Sequence, residues 1–221
     1  MILEPPRDYT PRPYGRLMTR HMVNTQRNAV WAPPGFGKTV TTLTALDQLS
    51  FVSDVFPALV LAPVRVARDV WPAEVRKWRH LSDMRVTPIV GSSDDRKWAL
   101  RRQSEVYAMN YENLEWLVET LGDAWPFKTV IADESTRLRG FRLRNGGVRA
   151  RALSFIADHV GRWVNLTGTP SPNGLINLWG QTWFLDRGQR LGRTYTAFRD
   201  RWFRVDEYNH AVTPHAQAQE A

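Results

Sequence analysis

An eight-residue segment near the amino terminus carries the strongest signal for the fold: Ala32-Pro33-Pro34-Gly35-Phe36-Gly37-Lys38-Thr39. It fits the phosphate-binding loop pattern, in which a small residue is followed by four variable positions and then by Gly-Lys-Thr. The apolar run 29–32 leading into it predicts a buried strand, and 40–49, which contains no glycine or proline, predicts a helix. The sequence therefore predicts a strand, a phosphate loop and a helix in that order, as the motif requires.

The residue types in this loop suit the phosphates of a nucleoside triphosphate. Gly35 and Gly37 let backbone N–H groups curl around a phosphate, and the N-terminus of the following helix adds partial positive charge. We expect the Lys38 side chain to reach the β- and γ-phosphates and the Thr39 hydroxyl to hold magnesium. The predicted phosphate-binding positions are consecutive: Pro34, Gly35, Phe36, Gly37, Lys38 and Thr39. A glycine turn beside a surface lysine is the alternative that these residues leave open.

Length and composition limit the class of protein. The 221 residues correspond to one large domain or to one and a half small ones, and a hydrophobic share of 43% is ordinary for a globular protein. No apolar run approaches the length that crosses a bilayer, and the amino terminus lacks signal-peptide character. The absence of cysteine excludes disulfides and thiolate metal sites, and agrees with the cytoplasm as the predicted location.

The charge balance favours an acidic partner. The formal net charge is +8 and the sequence pI is about 10.3, which is typical of proteins that meet polyanions. The charge alone does not show whether the partner is a nucleic acid or a membrane surface, or whether the charge serves only to keep the protein soluble. Four of the ten tryptophans lie at helical spacing from other apolar residues and are predicted to pack in the core: Trp71, Trp78, Trp179 and Trp183.

Predicted strands and helices alternate along most of the chain. Beyond the first strand, the predicted strands are 58–62, 86–90, 106–109, 129–132 and 163–166. The predicted helices are 14–23, 40–49, 66–78 with a kink or restart at Pro72, 94–102, 112–121, 149–159, 175–184 and 194–203. This alternation predicts an α/β fold, a three-layer parallel sheet with helices on both faces and ligands at its carboxyl edge.

An acidic pair follows one of the predicted strands, in Thr129-Val130-Ile131-Ala132-Asp133-Glu134. Asp133 emerges at the carboxyl end of that strand, where a phosphate loop needs a carboxylate to hold magnesium. Glu134, one residue later, is placed to orient or deprotonate an attacking water. An isolated Asp-Glu pair also caps helices, but its position after a phosphate loop and intervening strand–helix units favours a catalytic pair.

A second polar segment, Thr167-Gly168-Thr169, ends the strand at 163–166. Its two hydroxyls can contact both the acidic pair and a neighbouring domain, which predicts a coupling motif. A plain strand-to-helix turn is the open alternative, since threonine, glycine and proline all favour turns.

These elements together resemble the first RecA-like domain of superfamily 2 helicases and translocases, most closely the Swi/Snf-type group and its compact members encoded by phages and prophages. Segment 32–39 resembles motif I of that family, 59–63 with the helix to Trp78 resembles motif Ia, and 166–170 resembles motif III. The family has a short segment that helps the protein to track along a nucleic-acid strand, and Met109-Asn110-Tyr111-Glu112 resembles it. The position of the family's D-E-x-H box is occupied by Asp133-Glu134-Ser135-Thr136. The resemblance implies an ATP-dependent motor that uses Mg²⁺ and binds nucleic acid, with DNA expected.

The sequence departs from the family at three points. Family members often carry Gln after Pro-Tyr to read adenine, whereas Gly15 follows Tyr14 here and leaves only Tyr14 to stack on the base. The acidic box ends in Thr136 instead of His. The family closes ATP between two RecA-like domains, the second of which brings arginine fingers. The predicted organisation is an extended arm at 1–13, one RecA-like ATPase domain at 14–205 and a disordered tail at 206–221, with the second RecA-like domain absent from this chain.

A run of arginines follows the acidic box. Six arginines and no acidic residue lie between 137 and 151. Arginine pairs well with phosphate, so this stretch predicts contacts to a nucleic-acid backbone that do not read sequence. The predicted nucleic-acid contacts are Arg65, Asn110, Tyr111, Arg137, Arg139, Arg142 and Arg144. A solvated surface loop and a docking surface for the second domain are the alternatives.

The leading function is therefore the ATP-binding half of a helicase or translocase. A non-catalytic nucleic-acid-binding module of the same fold is one alternative, which the complete set of Lys38, Thr39, Asp133 and Glu134 disfavours. A small-molecule kinase or another phosphate-loop enzyme is a further alternative, disfavoured by the motif III resemblance and the arginine run. No membrane or disulfide partner is expected.

Overall fold

A computed structural model describes residues 5–143, 147–206, 211–215 and 218 of the chain. Its centre is a sheet of six strands: β1 (Arg27–Trp31), β2 (Ala58–Ala62), β3 (Val86–Ile89), β4 (Val106–Asn110), β5 (Thr129–Asp133) and β6 (Arg162–Thr167). Their order across the sheet is β1-β6-β5-β2-β4-β3, and every pair of neighbours is parallel. The predicted parallel α/β sheet is confirmed.

Helices cover both faces of this sheet: α1 (Pro13–Asn24), α2 (Lys38–Ser50), α3 (Trp71–Lys77), α4 (Ser93–Leu100), α5 (Leu114–Leu121), α6 (Gly147–His159), α7 (Leu178–Asp186) and α8 (Tyr195–Trp202). Side chains of β2 alternate between two cores, with Leu59 and Leu61 in one and Val60 in the other. The Leu59 core includes α5, α6 and α7, and the Val60 core includes α1, α2 and α3. Among the described residues, no helix has the length and apolarity to cross a membrane.

The predicted helix 66–78 differs from the observed one. Val66–Val70 forms a π-helix, in which the Trp71 N–H bonds the Val66 carbonyl, and α3 begins only at Trp71. Pro72 fits in the first turn of α3 because an N–H at that position has no helical partner. Trp78 lies beyond the helix, in extended conformation, and is only partly buried, whereas Trp71, Trp179 and Trp183 are buried as predicted.

The described part of the arm at 1–13 is extended but docked on the domain. The Arg7 N–H donates to the Lys77 carbonyl at 2.9 Å, and the Arg79 N–H donates to the Arg7 carbonyl at 2.9 Å. The Tyr9 ring stacks on His80 with 5.1 Å between ring centroids. Helix α1 then begins at Pro13, one residue earlier than the predicted boundary. Residues 1–4 lie outside the described residues.

The predicted disorder of the tail at 206–221 is wrong for part of it. Phe203–Val205 (β7) and Val212–Pro214 (β8) form an antiparallel pair, and the His215 N–H donates to the Trp202 carbonyl at 2.9 Å. Ladder hydrogen bonds and two β-branched valines, paired as Val205 with Val212, give this stretch a sheet structure that composition did not indicate. Residues 207–210, 216, 217 and 219–221 lie outside the described residues.

Candidate nucleotide site

The phosphate loop has the backbone that its two glycines allow. Gly35 has φ +83° and Gly37 has φ +71°, both in the left-handed region that side chains disfavour. Gly37 is also the residue before α2, so the loop runs directly into the N-terminus of an α-helix of 13 residues. The loop thus brings the positive end of α2 to the carboxyl edge of the sheet.

The Lys38 side chain folds back over this loop. Its Nζ donates to the Ala32 carbonyl at 2.6 Å and to the Pro33 carbonyl at 3.1 Å. Burial lowers the pKa of Lys38, while the charges of Asp133 and Glu134 act in the opposite direction. The ammonium group is therefore hydrogen-bonded to the loop backbone and electrostatically attracted to the acidic pair.

The strand order brings the acidic pair and the coupling motif beside the loop. Strand β6 lies between β1 and β5, and Leu166 of β6 is in register with both Val30 of β1 and Asp133 of β5. Asp133 and Thr167 consequently end neighbouring strands at the same edge. The adjacency could not be read from the sequence, in which Asp133 and Lys38 are separated by three intervening strands.

The Asp133 carboxylate has a fixed orientation. The Trp71 indole Nε1 donates to its Oδ2 at 2.9 Å, and the Tyr111 hydroxyl donates to the Asp133 backbone carbonyl at 2.9 Å. Burial raises the pKa of Asp133 above its usual value, and the hydrogen bond from Trp71 opposes that rise. Asp133 is thus a partly desolvated carboxylate that two buried aromatic residues position.

Glu134 occupies a strained backbone conformation. Its φ of +59° lies in the left-handed region, which costs a residue with a side chain about 1–3 kcal/mol and is concentrated at functional sites. Its Oε1 accepts hydrogen bonds from the Thr136 hydroxyl at 3.0 Å and from the Thr167 hydroxyl at 3.2 Å. Thr136, the residue that replaces His in the acidic box, therefore helps to hold Glu134.

The predicted coupling motif contacts both sides of the site. The Ala32 N–H donates to the Thr167 carbonyl at 3.1 Å, and the Thr169 N–H donates to the Thr167 hydroxyl at 3.2 Å. A Cβ on Gly168 would lie 3.0 Å from Cδ of Pro34, so the glycine lets the motif pack on the phosphate loop. Segment 167–169 joins the phosphate loop to Glu134.

The donor set fits magnesium held jointly with a nucleotide. Mg²⁺ binds through one or two protein oxygen ligands together with substrate phosphates and water. Asp133 supplies a carboxylate at the sheet edge, and the Thr39 hydroxyl makes no hydrogen bond with any residue that the structure describes. Within the same part of the chain, no three His, Asp or Glu side chains gather into an independent metal site.

The predicted adenine contact lies next to the loop. The Tyr14 ring packs on Phe36 with 4.8 Å between centroids, tilted by 38°. Gly15, which stands where the family often has Gln, is buried against α2, and a Cβ there would lie 3.5 Å from Cγ2 of Thr41. Of these two positions, only Tyr14 offers a side chain near the loop.

Two of the predicted nucleic-acid contacts are engaged inside the domain. Tyr111 is 2% exposed and its hydroxyl is bonded to Asp133, so burial removes its side chain from the surface. The Arg142 guanidinium lies 3.4 Å from the ring centroid of Tyr195 and donates to the carbonyls of Arg139 and Phe141. These interactions satisfy Arg142 locally. Arg144 lies outside the described residues.

The remaining predicted contacts lie at the surface. Arg137 pairs with Glu112 at 3.0 Å, and the Asn110 amide donates to the same carboxylate at 2.8 Å. The side chains of Arg65 and Arg139 are exposed and make no hydrogen bond or ion pair with any described residue. Among the described members of the set, Arg65 and Arg139 are thus the cations without such a partner, while Arg137 is paired with Glu112.

Two residues that hydrogen-bond to the candidate site or to its flanking segments were not predicted from the sequence to do so. Trp71 was predicted only to pack in the core, and its contact with Asp133 spans 62 positions. Gln181 was not singled out, although it is a lone amide in the apolar run Leu178-Trp179-Gly180-Gln181-Thr182-Trp183-Phe184. A polar side chain inside such a run is the signal that could have found it, because buried amides need hydrogen-bond partners.

The amino-acid sequence is similar to a known protein family and to several known proteins. A family model described as SNF2-related domain matches residues 18–209. The protein p41 of Acyrthosiphon pisum secondary endosymbiont phage 1 is 57% identical over 199 residues, which are 89% of this chain and 43% of that protein. The DNA excision repair protein ERCC-6-like of Mus musculus is 30% identical over 186 residues, which are 80% of this chain and 14% of that protein.

A solved structure shares the fold. The Sulfolobus solfataricus SWI2/SNF2 ATPase core in complex with dsDNA superimposes with a TM-score of 0.70 at 20% identity, over 91% of this chain and 41% of that one. The chain therefore spans less than half the length of each of these relatives. The match across residues 18–209, together with the phosphate loop, the acidic pair and the parallel sheet, shows that this chain belongs to the SNF2-related domain family.

Proposed function

We propose that the chain is the ATP-binding motor domain of an ATP-dependent DNA helicase or translocase and forms half of a two-domain ATPase. The observation that carries the proposal is the double hydrogen bond from Thr136 and Thr167 to Glu134 at the edge where the phosphate loop ends. A carboxylate held in this way, beside Asp133 and Lys38, suits the positioning of a water for phosphoryl transfer.

Each residue has a distinct role in this proposal. The backbone N–H groups of the loop bind the phosphates, and Lys38 exchanges its contacts with Ala32 and Pro33 for the β- and γ-phosphates. Thr39 and Asp133 hold Mg²⁺, which neutralises charge on the phosphates when bound. Glu134 orients the attacking water and accepts its proton at a carboxylate oxygen, while Thr167 keeps that carboxylate in place.

A nucleic acid and a second domain complete the proposal. The net charge of +8 and the exposed Arg65 and Arg139 support a phosphate-backbone contact, and one structural relative is in complex with dsDNA. Arginines supplied by a second domain are worth on the order of a thousandfold in related phosphoryl-transfer systems. We therefore expect the 221-residue chain to bind ATP–Mg²⁺ weakly and to hydrolyse it slowly.

Calorimetric titration with ATP–Mg²⁺ tests the nucleotide site. Lys38→Ala removes the charge that faces the phosphates and is expected to weaken binding on the order of a hundredfold, since charge-assisted contacts are worth about 1.5–3 kcal/mol each. Lys97→Ala is the matched control, because Lys97 is an exposed lysine on α4, which packs against β3 at the far edge of the sheet. Equal affinity for the wild type and Lys38→Ala would reject the phosphate-loop assignment.

Measurements of ATP hydrolysis test two points separately: the role of Glu134 and the need for a second domain. Glu134→Gln preserves shape but loses the base, so nucleotide affinity is expected to stay and residual turnover to vanish. Rapid DNA-stimulated turnover by the wild-type chain alone would contradict the need for a second domain. Residual turnover that survives in Glu134→Gln would remove Glu134 from the catalytic role.

A further inference from the structure

Helix α7 carries a buried amide behind the nucleotide site. Gln181 is 0% exposed, and its neighbours in the helix include the buried rings of Trp179 and Phe184. Burying an amide without partners costs about 1–3 kcal/mol on the scale of protein mutational data. The position of Gln181 is therefore stable only if its hydrogen bonds are made inside the core.

The Gln181 side chain spans two segments of the site. Its Oε1 accepts a hydrogen bond of 2.9 Å from the hydroxyl of Ser135, which directly follows Glu134. Its Nε2 donates to the carbonyl of Pro170, three residues beyond Thr167, and more weakly to the Asn177 carbonyl at 3.4 Å. The Gln181 side chain is thus bonded through Oε1 to the segment after the acidic pair and through Nε2 to the loop that follows Thr167.

The backbone of Gln181 is fixed as well. Asn165 on β6 donates from Nδ2 to the Gln181 carbonyl at 2.8 Å, and Trp163 Nε1 donates to Asn165 Oδ1 at 2.8 Å. At the preceding residue, a Cβ on Gly180 would lie 2.3 Å from the Leu138 carbonyl oxygen. Helix α7 therefore lies directly on the turn that follows Glu134, and Gln181 has little freedom to move.

We propose that Gln181 is a positioning residue, which holds the Ser135 and Pro170 segments at a fixed separation and so keeps Thr167 in hydrogen-bond contact with Glu134. Ser135 is adjacent to Glu134, and the Pro170 loop begins at Thr167, so a shift of either segment changes the distance between the two bonded side chains. Its effect on hydrolysis rests on the function proposed above. Its effect on the two segments does not, and can be measured without nucleotide.

Amide hydrogen exchange of the nucleotide-free chain is the direct test. Gln181→Leu keeps a similar volume but removes both hydrogen bonds, and is expected to accelerate exchange in peptides covering 134–138 and 168–173 by about tenfold, the equivalent of one hydrogen bond. Thr182→Val is the matched control, because among the described residues the Thr182 hydroxyl bonds only carbonyls of its own helix. That control is expected to leave both segments at wild-type rates.

Ser135→Ala provides a second variant in case Gln181→Leu does not fold. It removes only the bond to Oε1, so exchange is expected to accelerate in 134–138 while 168–173 keeps wild-type rates. Acceleration spread evenly over the strands, or rates equal to those of Thr182→Val, would overturn the proposal, since either result means that Gln181 only fills the core.

Nucleotide measurements then separate this proposal from the proposed function. If the chain is an ATPase, Gln181→Leu is expected to lower kcat about tenfold while the calorimetric ATP affinity stays unchanged, because the phosphate loop is not altered. A loss of ATP affinity equal to the loss in kcat would overturn the positioning role in catalysis. A wild type that binds no ATP would reject the proposed function, and the exchange result would still decide the role of Gln181 in the fold.

Discussion

The indole Nε1 of Trp71 donates a 2.9 Å hydrogen bond to Oδ2 of Asp133. Trp71 is fully buried and begins α3, directly after the π-helix Val66–Val70. A π-helix is rare and often marks a functional site, because its wider turn re-aims the residues that follow. Here the residue that follows is the one that bonds the candidate magnesium carboxylate.

Trp71→Phe is expected to destabilise the chain at neutral pH by about 1.5–3 kcal/mol from removal of the charged hydrogen bond, in addition to weaker packing. A double-mutant cycle with Asp133→Ala isolates the bond from the packing change, because alanine has no side-chain oxygen to accept from the indole and both backgrounds lose the same ring volume. The measurement is the free energy of unfolding in urea. A coupling energy of zero would mean that the 2.9 Å hydrogen bond has no energetic role.

Asp133→Asn is expected to raise the thermal stability of the nucleotide-free chain at pH 7. Burial raises the pKa of Asp133, so the folded state binds its proton more tightly than the unfolded state does. The wild type loses that contribution as pH rises through the raised pKa, and Asn does not titrate. The gain in Tm should therefore be present at neutral pH and disappear on acidification below the pKa of an ordinary Asp.

Asp123→Asn makes the same substitution at an exposed position, and its Tm is measured beside that of Asp133→Asn at each pH. In a chain of this size, each kcal/mol changes Tm by about 2–4 °C, which calorimetry resolves. A gain for Asp133→Asn that persists unchanged in acid would contradict the burial argument.

Thr167→Val and Thr136→Val are each expected to lower turnover about tenfold, with ATP affinity preserved, and the double variant to lower it further. Each valine removes one of the two hydroxyls that bond Glu134 Oε1. Single-turnover hydrolysis and calorimetry on the same variants measure the two effects separately. Wild-type turnover in the double variant would show that Glu134 needs neither hydroxyl.

Gly180→Ala is expected to destabilise the chain by about 1–3 kcal/mol or more, because its Cβ would lie 2.3 Å from the Leu138 carbonyl and backbone must move. Gly140→Ala, near the same turn, has no described atom within 4 Å of its Cβ position and is expected to be neutral or slightly stabilising. Urea unfolding compares the two. Equal stability of the two variants would contradict the close approach of α7.

Arg65→Ala and Arg139→Ala are expected to weaken DNA binding about equally for unrelated sequences. When the logarithm of the DNA-binding constant is plotted against the logarithm of the salt concentration, each variant should also have a shallower slope. The expected decrease is about 0.9 for every DNA phosphate that the arginine neutralises in the wild type. Arg142→Ala should instead lower thermal stability and leave the slope unchanged, since its guanidinium lies on Tyr195. Fluorescence anisotropy over a salt series separates these results. An unchanged slope in the Arg65/Arg139 double variant would favour a solvated surface or a docking surface for a second domain.

Elements whose signals are local could be predicted from the amino-acid sequence. The loop at 32–39, the apolar strands and the acidic pair at the end of β5 each depend on residues within one short window, where backbone conformation and side-chain periodicity are encoded directly. Strand alternation with helices then fixed the parallel sheet, because parallel strands need crossover connections. Boundaries agreed with the structure to within a few residues for β2 and β5.

Contacts between side chains that are distant in the sequence depend on how the strands and helices pack. The hydrogen bonds of Trp71 with Asp133 and of Gln181 with Ser135 join residues 62 and 46 positions apart, so no local pattern encodes them. The same holds for Tyr111, which the family resemblance predicted as a nucleic-acid contact, and for Arg142, which the arginine run predicted as one. Packing places Tyr111 in the core and Arg142 on the ring of Tyr195. The strand order β1-β6-β5 is the physical reason, because it sets which strand ends, and therefore which side chains, share one edge.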